Sequence, residues 1–317
     1  MRTRSLLALS TLTAATLLLA GCSGTAGDTG DSTDGAAADF CSATVASGAA
    51  SDGVTVDGDF GTASTAEFEL GQKVEEAQRT VLDKGDGKAI NDGDYVSYAL
   101  SAFDGDSGER LGDAGYAAGE LLPAQLTADA PMGQLIGCAT VGSRLSVVFP
   151  TTDAAAAQYY ILDVLDVVPS AAWGKDQAPV EGMPKVTLAD DGEPSLEIPD
   201  GDAPTELQIS VLKEGDGMPV EDGDTTLLQY YGVDWATGES FDSSWAKGEP
   251  ISIEGNTYVP GFVQALAGQK VGSQVLVVIP PALGYGEEGS SDHELAGKTL
   301  VFVIDILATM HPAVAAG

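Results

Sequence analysis

Short apolar runs alternate with polar turns along most of this chain. Thr205–Leu212, Thr225–Val233, Gln274–Ile279 and Thr299–Leu307 are rich in β-branched, aliphatic and aromatic residues and are bounded by Gly-Asp turns, the pattern of strands. Asp234–Glu239 separates two such runs and contains Thr237-Gly238, which predicts a hairpin loop. Asp104–Glu109 holds the same place earlier in the chain; its Asp-x-Asp pattern lacks the twelve-residue ligand spacing of a calcium loop. One segment breaks the period. Phe262–Ala267 follows Pro260-Gly261 and stops at Gly268, with Phe262, Ala265 and Leu266 on one face at helical spacing, which predicts a short helix lying on a sheet.

The pattern also repeats. Arg79–Asp94 parallels Ile209–Asp224, Val141–Pro150 parallels Val271–Pro280, and Tyr160–Leu165 parallels Phe302–Leu307. Matched order and spacing predict duplicated domains of ordinary size, at residues 39–170 and 201–312. Residues 171–200 between them are rich in Pro, Gly and acidic residues and read as a linker. Its short apolar patch, Pro184–Leu188, could add an edge strand to either domain.

The first residues carry a different signal. Arg2 and Arg4 precede an apolar run from Leu6 to Leu19, too short to span a bilayer comfortably, so residues 1–22 read as a signal peptide. Leu19-Ala20-Gly21-Cys22 resembles the lipobox of bacterial lipoproteins, which implies cleavage before Cys22, lipid on its sulfur, and attachment to the outer face of the cell membrane. Residues 23–38 hold only small and polar residues and read as a flexible tether.

Charge narrows the partners. With 48 acidic against 14 basic residues, the net charge is −34, which disfavours nucleic acid and anionic headgroups. The acidic residues are scattered through loops, so they solubilise rather than form one site. Cys41 and Cys138 remain once Cys22 is lipidated, and an even pair in an oxidising compartment suggests a disulfide. Closing a loop of about a hundred residues would contribute up to about 4–5 kcal/mol in the chain-entropy model. Neither His293 nor His311 has neighbours at metal-ligand spacing, so no metal or cofactor is expected.

Five blocks remain: Gln229-Tyr230-Tyr231-Gly232, Phe241-Asp242-Ser243-Ser244, Tyr258-Val259-Pro260-Gly261-Phe262, Gly284-Tyr285-Gly286 and Thr299-Leu300-Val301-Phe302. In this order and spacing, over roughly residues 203–310, they resemble the FKBP family of peptidyl-prolyl cis/trans isomerases. The resemblance implies an α+β fold: two FKBP-like domains, each a twisted antiparallel sheet wrapped on a short helix. It also implies an isomerase that acts on proline-containing polypeptides. With the leader and lipobox, the reading is an exported, membrane-tethered isomerase that assists folding after secretion, expected as a monomer. The alternative is a non-catalytic peptide-binding chaperone that keeps the fold.

The chemistry suits such residues. The isomerisation barrier of about 18–20 kcal/mol is lost amide resonance, and a dry apolar pocket favours the twisted, less polar amide. By resemblance Phe262 is the floor, where many relatives have tryptophan, and Tyr230, Phe241 and Phe302 are walls with Val259 at the edge. Asp242 and Tyr285 are the polar members, Tyr285 donating its hydroxyl to a substrate carbonyl and the Val259 N–H binding the peptide. The shape around Phe262 decides between the two readings: an open cleft with Asp242 and Tyr285 at its rim supports catalysis, and a filled one does not. Tyr258 stands where a small or aliphatic residue is common and is a candidate substrate contact; Leu295 is the candidate apolar flap residue. His293 reads as an exposed loop residue, with a flap contact as the alternative.

The first copy lacks this series. Tyr98-Ala99-Leu100 is read opposite Tyr230-Tyr231-Gly232, and Leu111-Gly112 opposite Phe241-Asp242. Its counterpart of the Pro280–Val301 flap, Pro150–Tyr159, is about a dozen residues shorter, so a scaffold, spacer or binding role is expected there rather than catalysis.

Overall fold

Each set of strand runs forms its own antiparallel sheet in a computed structural model that describes residues 40–312 apart from position 256. The expected signal peptide at 1–22, the expected tether at 23–38 and Cys22, the expected lipid site, lie outside the described residues. No helix among the described residues is long and apolar enough to cross a membrane.

The first copy begins with α1 (Ala49–Asp52) and a hairpin, β1 (Thr55–Asp57) and β2 (Thr65–Glu67). There follow β3 (Gln78–Asp83), β4 (Tyr95–Asp104), β5 (Arg110–Ala114), β6 (Ala124–Gln125), α2 (Pro131–Ile136), β7 (Arg144–Phe149) and β8 (Gln158–Val168). The sheet order is β3-β7-β8-β4-β5, with β6 also paired to β4.

The segment 171–200 between the copies contains β9 (Lys175–Asp176) and the hairpin β10 (Lys185–Leu188) and β11 (Pro194–Glu197), and the second copy follows with β12 (Gln208–Glu214), β13 (Thr225–Asp234) and β14 (Ser240–Ser243). It continues through α3 (Ser244–Lys247), β15 (Ile251–Glu254), α4 (Pro260–Leu266), β16 (Gln274–Ile279), a 3-10 turn at Pro281–Leu283 and β17 (Leu300–Met310). The order β14-β13-β17-β16-β12-β9, with β15 on β13, repeats the first sheet and adds one edge strand. Registers repeat too: Gln78 opposes Val148 as Gln208 opposes Val278. The same bulge recurs, with Leu165 the extra residue in β8 opposite Ser97 and Tyr98, and Leu307 the extra residue in β17 opposite Leu227 and Leu228.

One expectation is corrected by this pairing. The Pro184–Leu188 patch adds no edge strand to either large sheet. It pairs with Pro194–Glu197 in a separate two-stranded sheet, and Lys175–Asp176 supplies the edge strand instead. The reason is apolar area: Val186, Leu196 and Ile198 of the hairpin pack on Leu276, Val278, Val301 and Val303, the face of the second sheet away from its helix. In the first copy Val56, Ala66 and Phe68 cover Val148, Tyr159 and Ile161 in the same way. Central strands are therefore covered on both faces, which is why Val275–Ile279 reads as a continuous apolar run and every residue of Gln274–Ile279 is buried.

The helices take the other face. Phe262, Ala265 and Leu266 of α4 are buried against Val275, Val277, Ile279 and Ile304, each buried aliphatic side chain contributing about 1.5–3 kcal/mol. Both sequence-predicted hairpin loops form: the Asp234 N–H donates to the Glu239 carbonyl as the Asp104 N–H donates to that of Glu109. Cys41 and Cys138 are joined in a disulfide that ties the segment carrying buried Phe40 to the end of α2.

Candidate active site

The sequence-predicted site residues come from four separate elements and converge on one end of the second sheet. Tyr230 lies on β13, Phe241 and Asp242 on β14, Phe262 on α4 and Phe302 on β17. Phe262 meets Phe302 with centroids 5.1 Å apart and Tyr230 at 6.4 Å, both edge-on. Phe241 meets Phe302 at 5.4 Å, also edge-on. Such pairs contribute about 0.5–1.5 kcal/mol beyond buried area. Val259, Tyr285 and Leu295 pack on the same cluster, Leu295 being buried. Val259 is the N-cap of α4, and its N–H finds no partner among the described residues.

Glycine makes the aromatic contact possible. A Cβ at Gly232 would stand 2.8 Å from Phe241 and 2.9 Å from Phe302, closer than side chains tolerate, so the two walls meet over bare backbone. Gly232 carried no assigned role in the sequence reading, although it closes the Tyr-Tyr-Gly block.

The polar rim holds a further residue that sequence reasoning missed. The Tyr230 hydroxyl donates to Asp242 Oδ2 at 2.5 Å, Lys247 Nζ donates to the Tyr230 oxygen at 3.0 Å, and Lys247 Nζ lies 2.6 Å from Asp242 Oδ1. Local chemistry builds this triangle. Ser243 is extended and its hydroxyl accepts from the Ala246 N–H, capping α3, while Gly248 ends that turn in the left-handed region at φ 84°. The single helical turn returns Lys247 to Asp242. The signal was present in Phe241-Asp242-Ser243-Ser244: a serine N-cap predicts a helical turn and so a basic residue within reach of the acid. Ser244 is buried and accepts from the Tyr230 N–H at 2.8 Å, pinning β13 beside it.

Electrostatics follow from these bonds. Burial, and then the bond to Asp242, push the Tyr230 hydroxyl up to about 12, so it stays a donor. Burial raises the Asp242 carboxyl, but the bonds from Lys247 and Tyr230 outweigh it and leave the group below the usual carboxylate range. Lys247 is held above its ordinary value by Asp242 first and Tyr230 second. Burial raises Tyr285 as well.

His293 is an exposed loop residue, as expected. Its ring also stacks on Tyr285 with centroids 3.7 Å apart and planes 4° from parallel, and its Nδ1 accepts from the Leu295 N–H, so it supports the flap as well. Two placements differ from expectation. Phe262 is only 1% exposed, so its floor is covered rather than open. A cavity of about 770 Å³ lies elsewhere, lined by Tyr98, Leu121, Trp173, Met218 and Leu307 among others. Finally, the register places Leu100, not Tyr98, opposite Tyr230: Leu100 pairs with Leu162 as Tyr230 pairs with Ile304. A shared tyrosine misaligned the two blocks by two positions. Leu111-Gly112 does occupy the place of Phe241-Asp242.

The family model for FKBP-type peptidyl-prolyl cis-trans isomerase matches residues 217–307, all within the second copy. A probable FK506-binding protein of Corynebacterium glutamicum is 41% identical over 116 residues, covering 37% of this chain and 98% of that protein. The chain belongs to the FKBP-type peptidyl-prolyl cis-trans isomerase family. The FK506-binding protein of Streptomyces anulatus is 37% identical over 119 residues, covering 37% of this chain and 96% of the relative. FkpA of Escherichia coli is 35% identical over 103 residues, covering 32% of this chain and 37% of its own length. The crystal structure of FkpA aligns over 41% of this chain and 53% of that one, at 29% identity and a TM-score of 0.31. The FKBP-type chain is thus a peptidyl-prolyl cis/trans isomerase, and its substrates are proline-containing peptides.

Proposed function

We propose that this chain is an exported isomerase, anchored through lipid on Cys22 to the outer face of the cell membrane, that assists the folding of secreted proteins as a monomer. In this reading residues 1–22 are removed, 23–38 tether, 39–170 form a non-catalytic domain, 171–200 link, and 201–312 catalyse. The observation that carries the catalytic part is the convergence of Tyr230, Phe241, Phe262 and Phe302 beside the Tyr230–Asp242–Lys247 triangle.

The prolyl ring sits on Phe262 between the aromatic walls, and the preceding carbonyl lies in a nearly dry site. Twisting the amide reduces charge on that carbonyl, so apolar walls stabilise the twisted state more than the planar one. Tyr285 donates to a substrate carbonyl and the Val259 N–H holds the peptide on its other side. Asp242 accepts from Tyr230 and Lys247, which fixes the Tyr230 wall; its charge is spent on those bonds. Nothing in this scheme needs a nucleophile or a metal.

Cis/trans exchange of a proline tetrapeptide tests the reading. The mature chain should accelerate it, and Tyr230→Ala with Phe262→Ala should lower kcat/KM by about a hundredfold or more, since two walls at about 1.4 kcal/mol each already give that factor. Full activity in the double variant would refute it. Membrane fractionation tests the anchor: Cys22→Ser should move the protein to the soluble fraction, and continued membrane association would remove the lipid from the account.

A further inference from the structure

The rings around Phe262 do not all stand in the same relation to it. Phe302 and Tyr230 both meet it with planes at 89°. Tyr258 lies over it instead, with centroids 5.4 Å apart and planes only 32° from parallel. Tyr258 is 39% exposed while Phe262 is 1% exposed, so the tyrosine separates the phenylalanine from solvent. Burial first, then the charges of Lys247 and Asp242, act on the Tyr258 hydroxyl, which sets the ring among the polar rim groups. A prolyl ring stacking on Phe262 needs the same solvent-facing side.

We infer that Tyr258 is a gate: its ring covers Phe262 in the unliganded protein, competes with the incoming prolyl ring, and sets the affinity of the site for X-Pro peptides. The inference rests on the pocket proposed above. The chain allows the motion. Thr257 and Tyr258 are exposed and lie outside β15 and α4, so swinging the Tyr258 ring outward breaks no strand pairing and no helical turn. Val259, one residue on, is anchored on the aromatic cluster and caps the helix, so the movement stays local. Leu295 and Tyr285 pack on the same cluster, and His293 stacks on Tyr285.

When a competing side chain covers the site, apparent affinity falls by the fraction of molecules that are open. An offset aromatic pair corresponds to about a two- to tenfold bias toward the covered state. Removing the ring should recover that factor in KM. Tyr258→Val and Tyr258→Phe, each in the full mature chain, test this with a proline tetrapeptide under saturating and subsaturating conditions.

Tyr258→Val should lower KM about two- to tenfold and raise kcat/KM correspondingly, with its melting temperature held because the side chain is substantially exposed. Tyr258→Phe should keep the wild-type KM, since the ring rather than the hydroxyl covers the floor. An unchanged or raised KM in Tyr258→Val would overturn the gate, as would an equal drop in Tyr258→Phe. Phe262→Ala separates the two levels of the argument. If it is inactive while Tyr258→Val has the wild-type KM, the gate alone fails; if it is fully active, the pocket reading fails and takes the gate with it.

Discussion

Leu100, Gly112 and Tyr160 of the first copy stand at the register positions of Tyr230, Asp242 and Phe302 in the second. Counted from the helix ends, where the Gly137 N–H bonds Gly133 as the Ala267 N–H bonds Val263, Met132 stands at the position of Phe262. Around these positions the sheets agree strand for strand, bulge for bulge, and in the hairpin that covers the far face. A framework that folds without Tyr230, Asp242 and Phe262 in one copy does not need them in the other. Their presence in the second copy is therefore a statement about peptide chemistry, while the shared Val, Ile and Leu positions are a statement about burial. The rim triangle shows the same division. With Gly112 in place of Asp242, the first copy has no carboxylate at that position for a lysine to hold.

The copies also differ inside the sheet, and there the larger effect on stability is expected. Asp163 and Asp305 occupy equivalent positions on β8 and β17. Asp163 is fully buried and receives two bonds from Arg144, at 2.6 and 2.8 Å, and one from the Gly61 N–H. Arg144 also donates to the Gly58 and Asp59 carbonyls, clamping the β1–β2 loop to the sheet. Asp305 instead receives the Gln274 amide at 2.7 Å and the Ala172 N–H at 2.9 Å, and burial raises its carboxyl. Arg144→Ala strands a buried carboxylate and should destabilise the first copy by about 3–5 kcal/mol. Gln274→Ala leaves a group that can take up a proton, and should cost only about 1–3 kcal/mol. Urea unfolding of both variants checks the order. Equal losses would show that the ionic clamp is no stronger than the neutral one. Isomerase activity should survive Arg144→Ala, because the clamp touches no residue of the aromatic cluster.

A smaller change exchanges one residue between copies. Ala102 holds the position of Gly232, the first opposite Gly112 of β5 and the second opposite Asp242 of β14. Gly232→Ala would set a methyl group against Phe241 and Phe302 at distances below 3 Å. Overpacking of this kind costs about 1–3 kcal/mol, and the displaced walls should lower kcat/KM about tenfold, one factor of ten for each 1.36 kcal/mol. The reciprocal Ala102→Gly should do no more than loosen its strand, by about 0.5–1 kcal/mol. Wild-type exchange rates in Gly232→Ala would mean that Phe241 and Phe302 need not be held so closely.

How far the chain could be read without coordinates depended on whether a signal was local. Alternation, Gly-Asp turns and the Pro-Gly start of the short helix are local, and they predicted β13, β17, both hairpin loops and α4. The aromatic blocks were legible because each sits beside a turn residue of its own. Lys247 was not, since it joins Tyr230 and Asp242 through a helical turn whose single cue is the serine cap. Gly232 was visible as a letter but not as a contact between two rings. The Pro184–Leu188 hairpin was misplaced because a short apolar strand does not state its partner. The Tyr98 misalignment has the same cause: identity of one residue type outweighed the pairing register, which only the sheet supplies. Covering of Phe262 by Tyr258 is a side-chain arrangement, and no spacing rule encodes it.

The finest test of the contrast is its pH dependence. Asp242 is held below its unfolded value, about 3.9, because bonds from Lys247 and Tyr230 outweigh the effect of burial. A depressed carboxyl binds its proton less tightly in the folded state. Its contribution to stability is present above the unfolded value and is lost as pH falls through the folded one. The first copy has glycine at this position and so lacks that contribution. The urea midpoint of the second-copy transition should therefore fall in acid by more in the wild type than in Asp242→Asn, in which only the background slope of the other carboxylates remains. The difference should be modest, since Asp242 and Lys247 are 42% and 52% exposed and solvent screens the pair. Tyr230, pushed up to about 12, adds no step near neutrality. Parallel acid slopes in wild type and Asp242→Asn would show that the triangle orders the pocket rim without stabilising the fold, confining its role to holding Tyr230 in place.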